Sequence, residues 1–272
     1  MKNLYLSLFS ALFLFSALCS DRPDGKNIYM TGHSFLLAKG YAVKKLDILA
    51  NGAEITKHKI VDWNYAGGRN GAVDKWWSKG SDKNPRKAIT ASQVDILLIC
   101  IHFPKEGGPQ EKAILNFAKL MLKHNPKGKI YLVATHAPND GNMHGGWNAR
   151  TKLELIGLEF TYTIYYKRLI DKMNSQIGQI FIEEIPLYSA QNNARKMILE
   201  GKLPGVTKQS ELYKDAMGHL SEIGERLHAY TIYASIYKHS PIGLSTTEWE
   251  TTPEEKVLNE ALQKAAWQAV NK

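Results

Sequence analysis

Three short segments hold residue types that could do chemistry together. Thr31-Gly32-His33-Ser34-Phe35 follows an apolar run and leads into a helical pattern. A serine on such a strand-to-helix turn can expose its hydroxyl, with its own backbone N–H pointing into the same site. Taken alone, Ser34 reads more readily as merely the N-cap of that helix. Tyr65-Ala66-Gly67-Gly68-Arg69-Asn70-Gly71 follows a second apolar run. Paired glycines there let backbone approach a ligand and aim N–H groups at an oxyanion, although an ordinary flexible loop has the same composition. Near the C-terminus, Asp215-Ala216-Met217-Gly218-His219 sets a carboxylate just ahead of an imidazole. Such an Asp can orient a His and stabilise its charged form. A serine hydroxyl is almost wholly protonated at neutral pH and needs that base before it can attack a carbonyl. Each segment alone is weak; their conjunction points to acyl transfer.

A second chemistry is written in the histidines. His33, His102 and His136 follow the first, third and fourth apolar runs, while His144 and His219 lie in loops of the same rim. Imidazoles with a carboxylate such as Asp140 could bind zinc, or could line a polar pocket as hydrogen-bond donors. No His-Glu-x-x-His signature is present, and the reading adopted needs neither metal nor cofactor. Trp63, Trp76, Trp77 and Trp147 could stack on sugar faces or fill the core.

The elements that must position these residues alternate. Strand-length apolar runs fall at Asn27–Thr31, Lys59–Trp63, Asp95–Ile101, Lys129–Thr135 and Gln179–Ile185. Several are continuously apolar, as in a parallel sheet covered on both faces. Helical patterns lie between and after them at Leu36–Ala50, Gln110–His124, Leu153–Ile177, Tyr188–Glu200 and Ile223–Tyr237, with Asn51-Gly52 and Asn125-Pro126 as stop signals. This rhythm predicts a doubly wound α/β fold, in which ligands bind outside the carboxyl ends of the strands. Residues 21–272 are expected to form one domain, closed by an amphipathic helix from Pro253 that packs Val257, Leu258, Leu262 and Trp267 on the body.

The ordered set of Gly32-His33-Ser34, Gly67-Gly68 and Asp215…His219, ending in Ser240-Pro241-Ile242-Gly243, resembles the SGNH (GDSL-like) hydrolase superfamily, most closely its exported bacterial members. The resemblance spans roughly Lys26 to Gly243 and implies a flavodoxin-like three-layer α/β/α fold with a central five-stranded parallel sheet. It implies hydrolysis of esters, often acetyl groups on carbohydrate, through an acyl-serine. Ser34 would be the nucleophile, His219 the general base and Asp215 its orienting carboxylate. The N–H groups of Ser34 and of Gly67 or Gly68 would line the oxyanion hole. Three positions depart from the family pattern. His33 stands for an Asp; His102-Phe103-Pro104-Lys105 replaces Gly-x-Asn-Asp; and three residues rather than two separate Asp215 from His219. His102 and Asn70 are candidates for the missing oxyanion donor. His33, His102, His136 and Trp147 are candidate substrate contacts. With the third block altered, a non-catalytic carbohydrate-binding homologue and a metal-dependent hydrolase built on the rim histidines stay open beside the esterase.

Composition narrows the partners. At 272 residues, 44% apolar and 22% charged, the chain can bury a large core and is not a disordered or low-complexity protein. Two cysteines exclude a disulfide scaffold. The net charge of +9 comes from scattered lysines without a basic run, as on a solvated surface, so no nucleic-acid partner is expected. Leu4 to Leu18 is an apolar stretch too short for a comfortable bilayer span. It reads as the core of a signal peptide over residues 1–20, with a secreted or periplasmic product and no stable membrane insertion after cleavage. Leu18 before Cys19 fits a lipid-anchor site poorly. Cys100 lies in an apolar strand and is expected to be buried and inert. The partner is a small-molecule or polysaccharide ester; the oligomeric state is not legible.

Overall fold

The computed structural model describes residues 22–80, 84–101, 106–135 and 151–272. Five strands, β1 (Asn27–Gly32), β2 (Lys59–Tyr65), β3 (Ile96–Cys100), β4 (Lys129–Val133) and β5 (Ile182–Ile185), pair in parallel in the order β2-β1-β3-β4-β5. This is the flavodoxin-like order, and it places β1 and β3 inside the sheet. Side chains alternate along each strand and feed two cores. Met30, Leu98 and Val133 face one way, against α2 (Tyr41–Gly52), α7 (Leu187–Leu199), α8 (Glu222–Tyr237) and α9 (Pro253–Val270). Tyr29, Leu97 and Leu132 face the other, against α3 (Val73–Ser78), α4 (Pro85–Thr90), α5 (Pro109–His124) and α6 (Lys152–Ile177). The architecture is therefore a three-layer α/β/α sandwich. Residues 1–20, read above as a signal, lie outside the described residues.

The elements depart from the expected boundaries where backbone geometry intervenes. The expected helix over 36–50 is broken into a one-turn α1 (Ser34–Leu37), a 3₁₀ turn (Ala38–Gly40) and α2. Lys39 and Gly40 have φ of 54° and 71°, in the left-handed region that interrupts a helix. A Cβ on Gly40 would also come within 3.1 Å of the Trp63 ring. The two pieces are rejoined by the Tyr41 hydroxyl, which donates to the Phe35 carbonyl at 2.6 Å. β5 begins later than expected, because α6 ends at a left-handed Gly178 and the Asn174 side chain accepts from the N–H groups of Phe181 and Ile182.

On α9, Leu262 is buried and Leu258 packs against the core, but Val257 is 51% exposed and lies outside that core. Trp76 is buried and donates to the Gly71 carbonyl, Trp77 lies edge-on to Phe117 at 4.8 Å, and Trp63 packs on the first core. These three tryptophans serve packing.

One acidic side chain carries a cost in the folded state. Glu184 on edge strand β5 is pushed up to about 7, chiefly by burial, with a hydrogen bond from Tyr188 opposing, the charge of Glu159 adding and Lys272 opposing. A folded-state pKa above the unfolded one means that the folded protein holds the proton more tightly. Its contribution is thus fully present below the unfolded carboxylate pKa and is lost as pH rises through about 7. Glu184→Gln removes that loss: it is expected to stabilise by about 1–3 kcal/mol at pH 8 and to do little at pH 4. Thermal melts at the two pH values check this; an equal shift at both would contradict it.

Candidate active site

The turn after β1 is set by contact with its neighbour. A Cβ on Gly32 would fall 2.4 Å from Cys100 Cβ, so only glycine lets the end of β1 lie this close to β3. His33 then takes an extended conformation and caps α1, its Nδ1 accepting from the Phe35 N–H at 3.5 Å. With Nδ1 an acceptor, the neutral ring carries its proton on Nε2, which faces the Ile101 carbonyl at 3.4 Å and Cys100 Sγ at 3.2 Å. The cap of this helix is thus His33, not Ser34, and Ser34 is left at the first helical position with its hydroxyl free to serve another partner. His33 is 3% exposed. It lines the wall of the cavity described below, with both ring nitrogens turned to protein groups, so that it braces the turn. Cys100 is buried as expected, and burial pushes its thiol well above the usual range.

The partner of Ser34 comes from the loop before α8. His219 Nε2 lies 2.9 Å from Ser34 Oγ, and His219 Nδ1 lies 2.7 Å from Asp215 Oδ2. The same carboxylate accepts from the His219 backbone N–H through Oδ1 at 3.1 Å. The additional residue in this loop is absorbed by Gly218. It adopts φ 96°, donates to the Asp215 carbonyl at 3.1 Å and returns the chain so that Asp215 meets His219. An antiparallel bridge between Tyr213 and Leu220 closes the base of the loop, and Ser221 caps α8 directly after it. Burial draws the Asp215 pKa upward, but the hydrogen bonds and charge of His219 outweigh it and hold the carboxyl below its ordinary value. An ionised Asp215 accepts from Nδ1–H, which leaves the Nε2 lone pair facing the serine hydroxyl. Phe35 stands edge-on to the imidazole at 5.6 Å and limits its rotation.

Ser34 and His219 open into a cavity of about 350 Å³ that Gly67 and Gly68 also line. Within the described residues neither the Ser34 nor the Gly67 N–H has a hydrogen-bond partner, so both can serve an oxyanion. Asn70 does not join them: it sits exposed on the 3₁₀ turn Gly68–Gly71 and does not line the cavity, because that turn carries it outward. The remaining walls come from residues not singled out in the sequence. Tyr65, Ile101 and Thr135 stand at or just after the ends of β2, β3 and β4, while Phe35 follows the serine directly and Met217 lies two residues before the histidine. The strand-end rule that located Ser34 applies equally to the first three. His102, His136 and Trp147, like Asp140 and His144, lie outside the described residues. Among the described residues no three metal-ligating side chains cluster, and no helix is long and apolar enough to cross a membrane.

No protein-family model matches the chain, and no curated protein matches it in sequence. Two solved structures are similar to it. A DUF4886 family protein from Bacteroides uniformis shares 14% identity at a TM-score of 0.60, over 91% of this chain and 95% of its own. A candidate GDSL-like lipase from Parabacteroides merdae shares 14% identity at a TM-score of 0.46, over 77% of this chain and 94% of its own. At such identity it is the likeness to the first that bears on the chain, and what it shows is the fold.

Proposed function

We propose that the chain is a serine-dependent ester hydrolase of the SGNH type. The observation that carries this reading is the unbroken hydrogen-bonded series from Asp215 through His219 to Ser34. Ser34 Oγ attacks an ester carbonyl while His219 Nε2 takes its proton. The carbonyl oxygen becomes an oxyanion facing the N–H groups of Ser34 and of Gly67 or Gly68. Collapse of this intermediate expels the alcohol, to which His219 returns the proton, and leaves an acyl group on Ser34. Water, deprotonated by the same imidazole, then releases the acid. Asp215 holds the ring in the productive tautomer and balances its charge in both steps. No cofactor enters the cycle.

The substrate proposed is an acylated carbohydrate, met outside the cytoplasm after export. One feature favours a bulky alcohol. His219 and Asp215 are partly open to solvent, at 24% and 41% side-chain exposure, so the alcohol leaves from the solvent-facing side of the site. The cavity beside the serine is concave and of the size usual for small-molecule sites, with room for the acyl group.

A fluorophosphonate probe is expected to label the wild type on Ser34 and not Ser34→Ala. Folded but unlabelled wild-type protein would favour a binding role instead. Asp215→Asn, which keeps shape but not charge, is expected to lower kcat by about 10²–10⁴-fold. Steady-state hydrolysis of p-nitrophenyl butyrate reads this, and full activity in the variant would remove Asp215 from the mechanism.

A further inference from the structure

We infer that the cavity beside Ser34 is an acyl subsite for chains of about six to eight carbons, longer than acetyl; this rests on the ester-hydrolase reading above. The sheet order separates the two sides of the serine. Gly67, with its free N–H, follows β2 on one side of β1, whereas Ile101 and Thr135 follow β3 and β4 on the other. An acyl group whose carbonyl oxygen turns toward Gly67 therefore directs its chain across the ends of β3 and β4. Neighbouring strands lie about 4.8 Å apart, so the path from Ser34 to Thr135 is roughly 10 Å, the reach of about six to eight carbons. Its near wall is Ile101, Phe35 flanks the serine, and the first hydroxyl met is Thr135 at the far end. Met217, 53% exposed, borders the mouth on the His219 side, where the alcohol leaves.

Volume agrees with length. An acetyl group fills on the order of 50 Å³, about twice a water's share of liquid volume, and would leave most of the 350 Å³ unfilled beside apolar walls. Each further methylene that enters such a wall gains about threefold to fourfold in transition-state binding. Acetyl esters are thus substrates, but not the best ones.

The test is the chain-length profile of kcat/KM for p-nitrophenyl acetate, butyrate, hexanoate, octanoate and dodecanoate, run on protein first titrated with a fluorophosphonate probe. The expected result is a labelled serine and a rise of at least about tenfold from acetate to a maximum at hexanoate or octanoate, falling at dodecanoate. Thr135→Trp, which fills the far end, should move the maximum toward butyrate and lower the octanoate-to-acetate ratio about tenfold. A labelled serine with a flat or acetate-peaked wild-type profile overturns the acyl subsite and leaves the hydrolase reading standing. Failure to label overturns both. The wild-type profile decides even if the Thr135 variant does not fold.

Discussion

Everything at the site depends on how closely the ends of β1 and β3 approach. Gly32 lies against Cys100 with no room for a Cβ, and the chain can leave the sheet at once into the one-turn α1. The His33 ring wedges into the corner so formed, with one nitrogen on the Phe35 N–H and the other toward the Ile101 carbonyl. Because the histidine serves as cap, the serine hydroxyl is not spent on the helix and can pair with His219. An aspartate can also cap a helix through its side-chain oxygen. His33 does so through a nitrogen and adds a second tether to β3, at the expense of a buried imidazole.

The loop that brings the base is built on a different principle. Asp215 is held at both carboxylate oxygens by one residue, His219, through ring and backbone. This doubles the constraint on the imidazole, to which the edge-on Phe35 ring adds a contact from α1. Gly218 supplies the left-handed turn that makes the pairing possible across three intervening residues. Nucleophile and base therefore come from opposite ends of the chain, 185 residues apart, and meet where α8 and α2 pack on the same face of the sheet. The two helices are carried by one core, to which Leu46 and Leu49 of α2 and Leu227 and Tyr230 of α8 all belong, so the catalytic distance is tied to the packing of that core.

Much of this was legible in the sequence, for identifiable reasons. Continuous apolar runs such as Ile96–Cys100 announce buried parallel strands, the strand-end rule led to Ser34 and Gly67, and the carboxylate just ahead of an imidazole led to His219. What escaped was local backbone chemistry. The break at Lys39-Gly40 involves φ values that no periodicity reveals, and the cap role of His33 escaped because a histidine is a rare cap and Ser34 a common one. Asn70 was a reasonable donor by type, but a 3₁₀ turn carries it outward. The apolar walls of the cavity look like core residues until the fold places them beside the serine. Val257 keeps the helical period of α9 yet falls on its outer edge, since periodicity marks a face but not its width.

The most direct measurement is mass spectrometry of the protein quenched during turnover of a slowly deacylating p-nitrophenyl ester, with the adduct mapped by peptide. The account predicts a burst of p-nitrophenol that approaches one equivalent and a single acyl group on the peptide that contains Ser34. Turnover with no adduct on that peptide, or with the acyl group on another residue, would contradict it.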